Sequence, residues 1–399
     1  MKRFFPAVIA LLCAGLSTIT ANGREPVKVA CIGNSITYGY TLEHRDSLCY
    51  PSQLQRMLGD DYKVGNFGRS GATLLRHGHR PYNEMEEWQK ALAFDADIAV
   101  IHLGINDTDP RDWPLYGDDF VKDYVALIDT LRGRNPDIRI IISRLSPILS
   151  QHYRWRSGTQ KWRLEIQKAI ERVALATGAE LIDFDVTLRD HEYLLEDGLH
   201  PNARGAQLMA RTVAGALTGR YGPLRLPPVW QSGMVVQRDR PLRIKGTANA
   251  GTEVKIKVNG AHSVVAKTDN QGRWSAILQP FAVGDPYTIE VTGGADTVLL
   301  KDVVAGDVWV ASGQSNMAFK LKNSAGGTEA IASSADSLLR FYALTPRAYT
   351  DGCRWSDDVI AAVDTLGYFL PGNWQRSAPE SVSDFSAVAY YFAREMRKR

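Results

Sequence analysis

A chain of 399 residues with 44% hydrophobic content is long enough for two or three folded units and ordinary enough in composition to be globular. Its net charge of +3 is small for that length and gives no case for a nucleic-acid surface. No nucleic-acid partner is expected, and the basic residues Arg154, Arg156, Lys161 and Arg163 read as a solvated helix face.

Lys2 and Arg3 precede an apolar run from Phe4 to about Leu16, and small or polar residues follow through Ala21, Asn22 and Gly23. This pattern predicts a signal peptide over 1–23 and a secreted or periplasmic product. The run is too short for a comfortable membrane span, and no later segment is long and apolar enough, so no span is expected after cleavage. Of the four cysteines, Cys13 falls inside the leader, leaving Cys31, Cys49 and Cys353. An odd, sparse set is not a disulfide framework, and no zinc-type spacing occurs. Cys31 reads as a buried small hydrophobe. No cofactor motif and no metal cluster is expected.

From Val27 to about Gly222, strand-like and helix-like patterns alternate. Apolar runs at Val27–Ile32, Tyr62–Phe67, Ala96–Leu103, Ile138–Ile142 and Leu181–Phe184 read as five strands. Segments Ser52–Leu58, Asp119–Leu131, Trp162–Ala176 and Ala203–Leu217 read as helices. Near-continuous apolar strands separated by helices predict an α/β/α sandwich around a parallel sheet, over 24–222. The proline-rich stretch Gly222-Pro223-Leu224-Arg225-Leu226-Pro227-Pro228 reads as a linker. Beyond it, short alternating runs such as Glu253–Val258, followed by the turn signal Asn259-Gly260, predict a small β-sandwich over 223–300. An apolar strand Val303–Val310 then runs into Ser312-Gly313-Gln314-Ser315, and this one clear strand cannot close a parallel sheet alone.

Four short segments carry chemistry: Gly33-Asn34-Ser35-Ile36-Thr37, Gly68-Arg69-Ser70-Gly71, Gly104-Ile105-Asn106-Asp107 and Asp197-Gly198-Leu199-His200-Pro201-Asn202. The first three each follow a predicted strand, where open α/β sheets bind ligands. A serine hydroxyl is a poor nucleophile until a base takes its proton, so Ser35 needs His200, with Asp197 to hold the tautomer. The Gly71 N–H and the Asn106 amide are candidate oxyanion donors. Singly, Gly71 also reads as a turn glycine, Asn106 as a helix cap, and Asp197 with His200 as a surface turn. All four in this order favour an acyl-transfer site. A second serine, Ser315, lies in Ser312–Met317, and no histidine follows His262.

These segments resemble the nucleophile, oxyanion and Asp/His blocks of the SGNH (GDSL-type) hydrolase superfamily, with Asn34 where the family usually has Asp. The resemblance covers about Val27 to Leu217 and implies a flavodoxin-like α/β/α fold and a serine esterase. Trp230–Arg238, Gly306–Met317 and Ser386–Ala393 resemble a different branch, the sialate O-acetylesterase-like carbohydrate esterases, whose later oxyanion and Asp/His blocks are missing here. This resemblance implies the start of a second SGNH-type α/β domain, partial over 301–399, with Ser315 as a second, incomplete site. The two resemblances together imply an exported esterase that removes O-acetyl groups from carbohydrates, whether sialic acids or plant-type glycans. A lipid esterase or lysophospholipase on the same triad is the alternative, as is a silent glycan-binding protein using Trp155, Trp162 and Trp230.

Overall fold

The computed structural model describes residues 25–153, 155, 158–348, 355–356, 358–359, 362–363 and 368–398. The predicted leader, Cys13, Cys353, Arg154 and Arg156 lie outside the described residues. Two compact units are present. One contains the chain up to Leu181 together with Asp197–Ala210, and the other contains Ile182–Glu196 and the chain from Arg211 onward. Within the second, Ile182–Glu196 packs with the residues after 210, where Thr187 Oγ1 meets Thr212 Oγ1 at 2.8 Å.

Five strands form the first sheet: β1 (Val27–Gly33), β2 (Tyr62–Gly68), β3 (Ile98–His102), β4 (Arg139–Arg144) and β5 (Glu180–Asp183), in the order β2-β1-β3-β4-β5. β1 runs parallel to both β2 and β3, and β3 parallel to β4. Helices flank the strands, as both faces of such a sheet must be covered. The runs Val29–Ile32 and Ile98–Ile101 are buried throughout, which explains their unbroken apolar sequence. Cys31 is buried among them as a free thiol, and burial drives that thiol well above the ordinary range.

This strand order reverses direction between β1 and β3, which opens a crevice outside their C-terminal ends. The loop after β1 and the loop after β3 therefore face one place. Gly68, at the end of β2, must be glycine: a Cβ there would lie 2.1 Å from the backbone nitrogen of Tyr38. The close approach of β2 to the turn after β1 depends on it.

A β-sandwich is present in the second unit. Its larger sheet runs β6-β12-β11-β8-β9, with β6 Val235–Gln237, β8 Glu253–Val258, β9 His262–Lys267, β11 Tyr287–Gly293 and β12 Asp296–Gly306. The smaller pairs β7 (Leu242–Thr247) antiparallel with β10 (Arg273–Leu278). Ile244, Trp274, Val254, Ile256, Ile289 and Val291 meet in the core between them. β10 alternates exposed and buried positions along its length, the period-two pattern of a strand with one dry face. Asn259 and Gly260 both adopt positive φ in the β8–β9 connection.

One expectation is corrected. The strand predicted over Val303–Val310 is displaced: β12 starts at Asp296 and ends at Gly306, and it belongs to the sandwich. Its parallel partner β6 reaches only from Val235 to Gln237, so pairing stops at Gly306. Val308, Trp309 and Val310 are exposed and outside any strand. Among the described residues, 307–398 holds one antiparallel pair, β13 (Asp336–Tyr342) with β14 (Trp374–Ser377), and short helices around a small core of Leu321, Phe341, Val382 and Tyr390. No helix among the described residues is long and apolar enough to cross a membrane.

Candidate active site

Ser35 is the first residue of a one-turn helix, Ser35–Tyr38, directly after β1. Asn34 caps that helix: its Oδ1 accepts from the Ile36 N–H at 3.0 Å, and its Nδ2 donates to the His102 carbonyl at 3.2 Å. An aspartate could make the first bond but not the second. Asn34 thus sets the turn and ties it to the end of β3. Ser35 is 6% exposed, so its hydroxyl sits at the floor of the crevice rather than on the surface.

His200 arrives from the far end of the unit. Gly198 has φ 82°, and its carbonyl accepts from the Leu149 N–H at 2.8 Å, which fixes the turn before His200. Asn202 starts the helix Ala203–Thr218, its Oδ1 accepting from the N–H groups of Arg204 and Gly205 at 3.1 Å each. Gln53, on the helix Tyr50–Leu58, donates to the Ala203 carbonyl at 2.8 Å. Between these anchors, His200 Nε2 lies 2.8 Å from Ser35 Oγ, and Nδ1 lies 2.6 Å from Asp197 Oδ2. Asp197 Oδ1 also accepts from the N–H groups of His200 at 2.7 Å and Leu199 at 2.9 Å. Burial raises the Asp197 carboxyl, but the His200 N–H and ring outweigh it and hold the group below its ordinary value. An ionised Asp197 keeps the proton on Nδ1 and leaves Nε2 able to accept the serine proton.

The two oxyanion candidates sit on loops that are laced together. The Arg69 N–H donates to the Gly33 carbonyl at 2.9 Å, and Asn106 Nδ2 donates to the Ala72 carbonyl at 2.9 Å. Gly71 lies between these anchors at φ 79°, where a side chain would be strained and would meet Arg80 Nη1 at 3.1 Å. Asn106→Ala is expected to lower kcat on an acetate ester by about 10²–10³-fold. Steady-state kinetics on folded protein checks this, and a loss under threefold removes Asn106 from the site.

Asp107 has a part that its place beside Asn106 in the chain does not announce. It is fully buried, and its two oxygens accept from the N–H groups of Leu74 at 2.9 Å and Leu75 at 2.8 Å. It clamps the loop that carries Gly71 to the loop that carries Asn106. Burial pushes its carboxyl up to about 7, against the pull of those two N–H groups. A carboxyl raised on folding contributes stability at low pH that is lost as pH rises through its folded value. Wild-type protein should therefore shed up to about 3 kcal/mol from this group between about pH 5 and 7. Urea unfolding at those two pH values should show the slope in wild type and its absence in Asp107→Asn; equal slopes would remove the assignment.

Ser315 opens a four-residue helix, Ser315–Ala318, and is exposed in the second unit. No histidine follows position 262, and among the described residues no imidazole bonds its hydroxyl. Ser315→Ala is expected to leave acetate-ester turnover within about twofold, as a serine without a base contributes no nucleophile. A larger loss in folded protein would show that the second serine is activated. Trp230 packs against the sandwich core rather than standing free.

One cluster was not anticipated. Ligand-type atoms of His79, Asp109 and Asp112 lie within 4.8 Å of one another. Both carboxylates already have partners: Arg111 binds both oxygens of Asp109, at 2.8 and 2.9 Å, and His79 Nδ1 lies 2.6 Å from Asp112 Oδ2. Tyr40 was also missed. Its ring lies 4.9 Å from the His200 ring, a contact that no local pattern announces.

Residues 31–208 match the GDSL-like lipase/acylhydrolase family, so the N-terminal part of the chain is a domain of that family. Over 223 residues the chain is 36% identical to an acetylxylan esterase of Xylanibacter ruminicola, covering 51% of this chain and 45% of that relative. It thus spans just under half the length of the curated relative that it matches. Among solved structures, a carbohydrate acetylesterase from Xanthomonas citri is similar at 29% identity and TM-score 0.36, over 44% of this chain and 37% of the other. A carbohydrate acetylesterase from Sinorhizobium meliloti is similar at 17% identity and TM-score 0.41, over 48% of this chain and 98% of the other.

Proposed function

We propose that this chain is an exported serine esterase that removes O-acetyl groups from carbohydrates through Ser35, His200 and Asp197. One observation carries the reading: the continuous relay from Ser35 Oγ to His200 Nε2 at 2.8 Å and from Nδ1 to Asp197 at 2.6 Å, assembled from segments far apart in the chain. In the reaction His200 Nε2 takes the Ser35 proton as Oγ bonds to the acetyl carbon. The carbonyl oxygen becomes an oxyanion, with the N–H groups of Ser35 and Gly71 and the Asn106 amide as its donors. His200 returns the proton to the sugar oxygen as the C–O bond breaks, leaving an acetyl-serine. Water then repeats the sequence, with His200 as base, and acetate leaves. The charge on Asp197 supports the imidazolium in both halves.

Acetylated plant-type glycan is the favoured substrate, supported by the 36% identity to an acetylxylan esterase. The sialate-type segment around Ser315 gives weaker direction, because no relative named for a sialate substrate stands beside it as the acetylxylan esterase does for the N-terminal part. The leader-like segment 1–23 supports a secreted or periplasmic location. Hydrolysis of p-nitrophenyl acetate, butyrate and octanoate tests the acyl part: acetate should be favoured by at least about tenfold over octanoate, a difference of ~1.4 kcal/mol. A preference for octanoate would redirect the site to lipid esters, and no turnover at all would leave a binding protein.

A further inference from the structure

We propose that Tyr40 is the platform on which the ring of the departing sugar stacks. The inference rests on reading His200 as the acid that protonates the leaving oxygen. That oxygen must come within hydrogen-bond reach of His200 Nε2, so the sugar ring attached to it lies on the histidine side of the reacting carbon, opposite the oxyanion donors. The structure puts Tyr40 beside His200. Its ring centroid lies 4.9 Å from the His200 ring, tilted by 57°. Its main chain is fixed to the nucleophile turn: the N–H groups of Gly39 and Tyr40 both donate to the Ser35 carbonyl at 2.9 Å. The side chain nevertheless stays 53% exposed, and among the described residues its hydroxyl has no hydrogen-bond partner. A large aromatic ring beside the catalytic base, anchored through its main chain and half exposed, has an apolar surface to cover. The C–H face of a pyranose is flat and apolar and its rim carries hydroxyls, which matches an exposed ring with a polar tip. Acetyl groups are too small to need such a surface, so Tyr40 reads the alcohol rather than the acid.

The test is a ratio of kcat/KM values, for a mono-O-acetylated methyl xyloside over ethyl acetate, whose leaving ethanol has no ring. Both substrates use the same Ser35 and His200, so the ratio cancels any loss of folded enzyme or any shift of the histidine. Tyr40→Ala should lower this ratio about tenfold. Tyr40→Phe and Tyr40→Trp should keep it within about threefold. A ratio unchanged within about threefold in Tyr40→Ala overturns the proposal, even if both rates fall, since Tyr40 would then only pack His200. A ratio lost equally in Tyr40→Phe also overturns it, because the hydroxyl and not the ring face would be responsible. A wild-type enzyme that cleaves ethyl acetate but no sugar acetate overturns the carbohydrate reading itself, and the platform with it.

Discussion

Ser35→Ala is expected to lower kcat for acetate esters by about 10⁴-fold or more while leaving the protein folded. The substitution removes the atom that bonds to carbon, and nothing nearby can replace it. Thr37, two residues on, points its hydroxyl to the Tyr50 hydroxyl at 3.3 Å and is fully buried. The fold has little at stake, because the bond of Ser35 Oγ to His200 is a single one, and the turn is held by Asn34 and by main-chain bonds to the Ser35 carbonyl. Residual rate over water should persist, since the oxyanion donors and the binding surface remain. Steady-state kinetics with p-nitrophenyl acetate, beside a melting curve, checks both halves. A folded Ser35→Ala protein within tenfold of wild type would place the chemistry elsewhere.

The second large effect separates His200 from Asp197. His200→Ala deletes the group that accepts and returns the proton, and a loss of about 10⁵-fold is expected. Asp197→Asn keeps the shape but offers an N–H where His200 Nδ1 needs an acceptor, which favours the wrong tautomer; a loss of about 10³–10⁴-fold is expected. The order matters more than the values. Asp197 also holds the turn by accepting from the N–H groups of Leu199 and His200, and the amide oxygen of Asn can still accept those. If Asp197→Asn proved as active as wild type, the short contact to Nδ1 would be a surface pair and not an orienting one.

The buried sheet was legible because a strand covered on both faces needs apolar residues at every position, and Val29–Ile32 and Ile98–Ile101 have them. The helix Glu86–Phe94 was not seen, because it buries only Trp88 and Ala91 and leaves no apolar stripe to read. The run Val303–Val310 looked like a strand from end to end. A strand also needs neighbours, and β6 offers only three residues, so the ladder ends at Gly306. At the site, Ser35, Gly71, Asn106, Asp197 and His200 stood out because each sits in a short polar block at a strand or helix end. Asp107 and Tyr40 did not. The work of Asp107 lies in two N–H groups of another loop, and that of Tyr40 in a ring brought in from the last motif. Long-range contacts of this kind leave no spacing in the chain.

Acetate released from acetylated xylo-oligosaccharides shows whether Ser35 cleaves acetate from sugar hydroxyls. Wild-type protein and Ser315→Ala should release acetate at similar rates, and folded Ser35→Ala should release none above background. Equal release by wild type and Ser35→Ala, or no release by wild-type protein that still hydrolyses p-nitrophenyl acetate, would contradict the account.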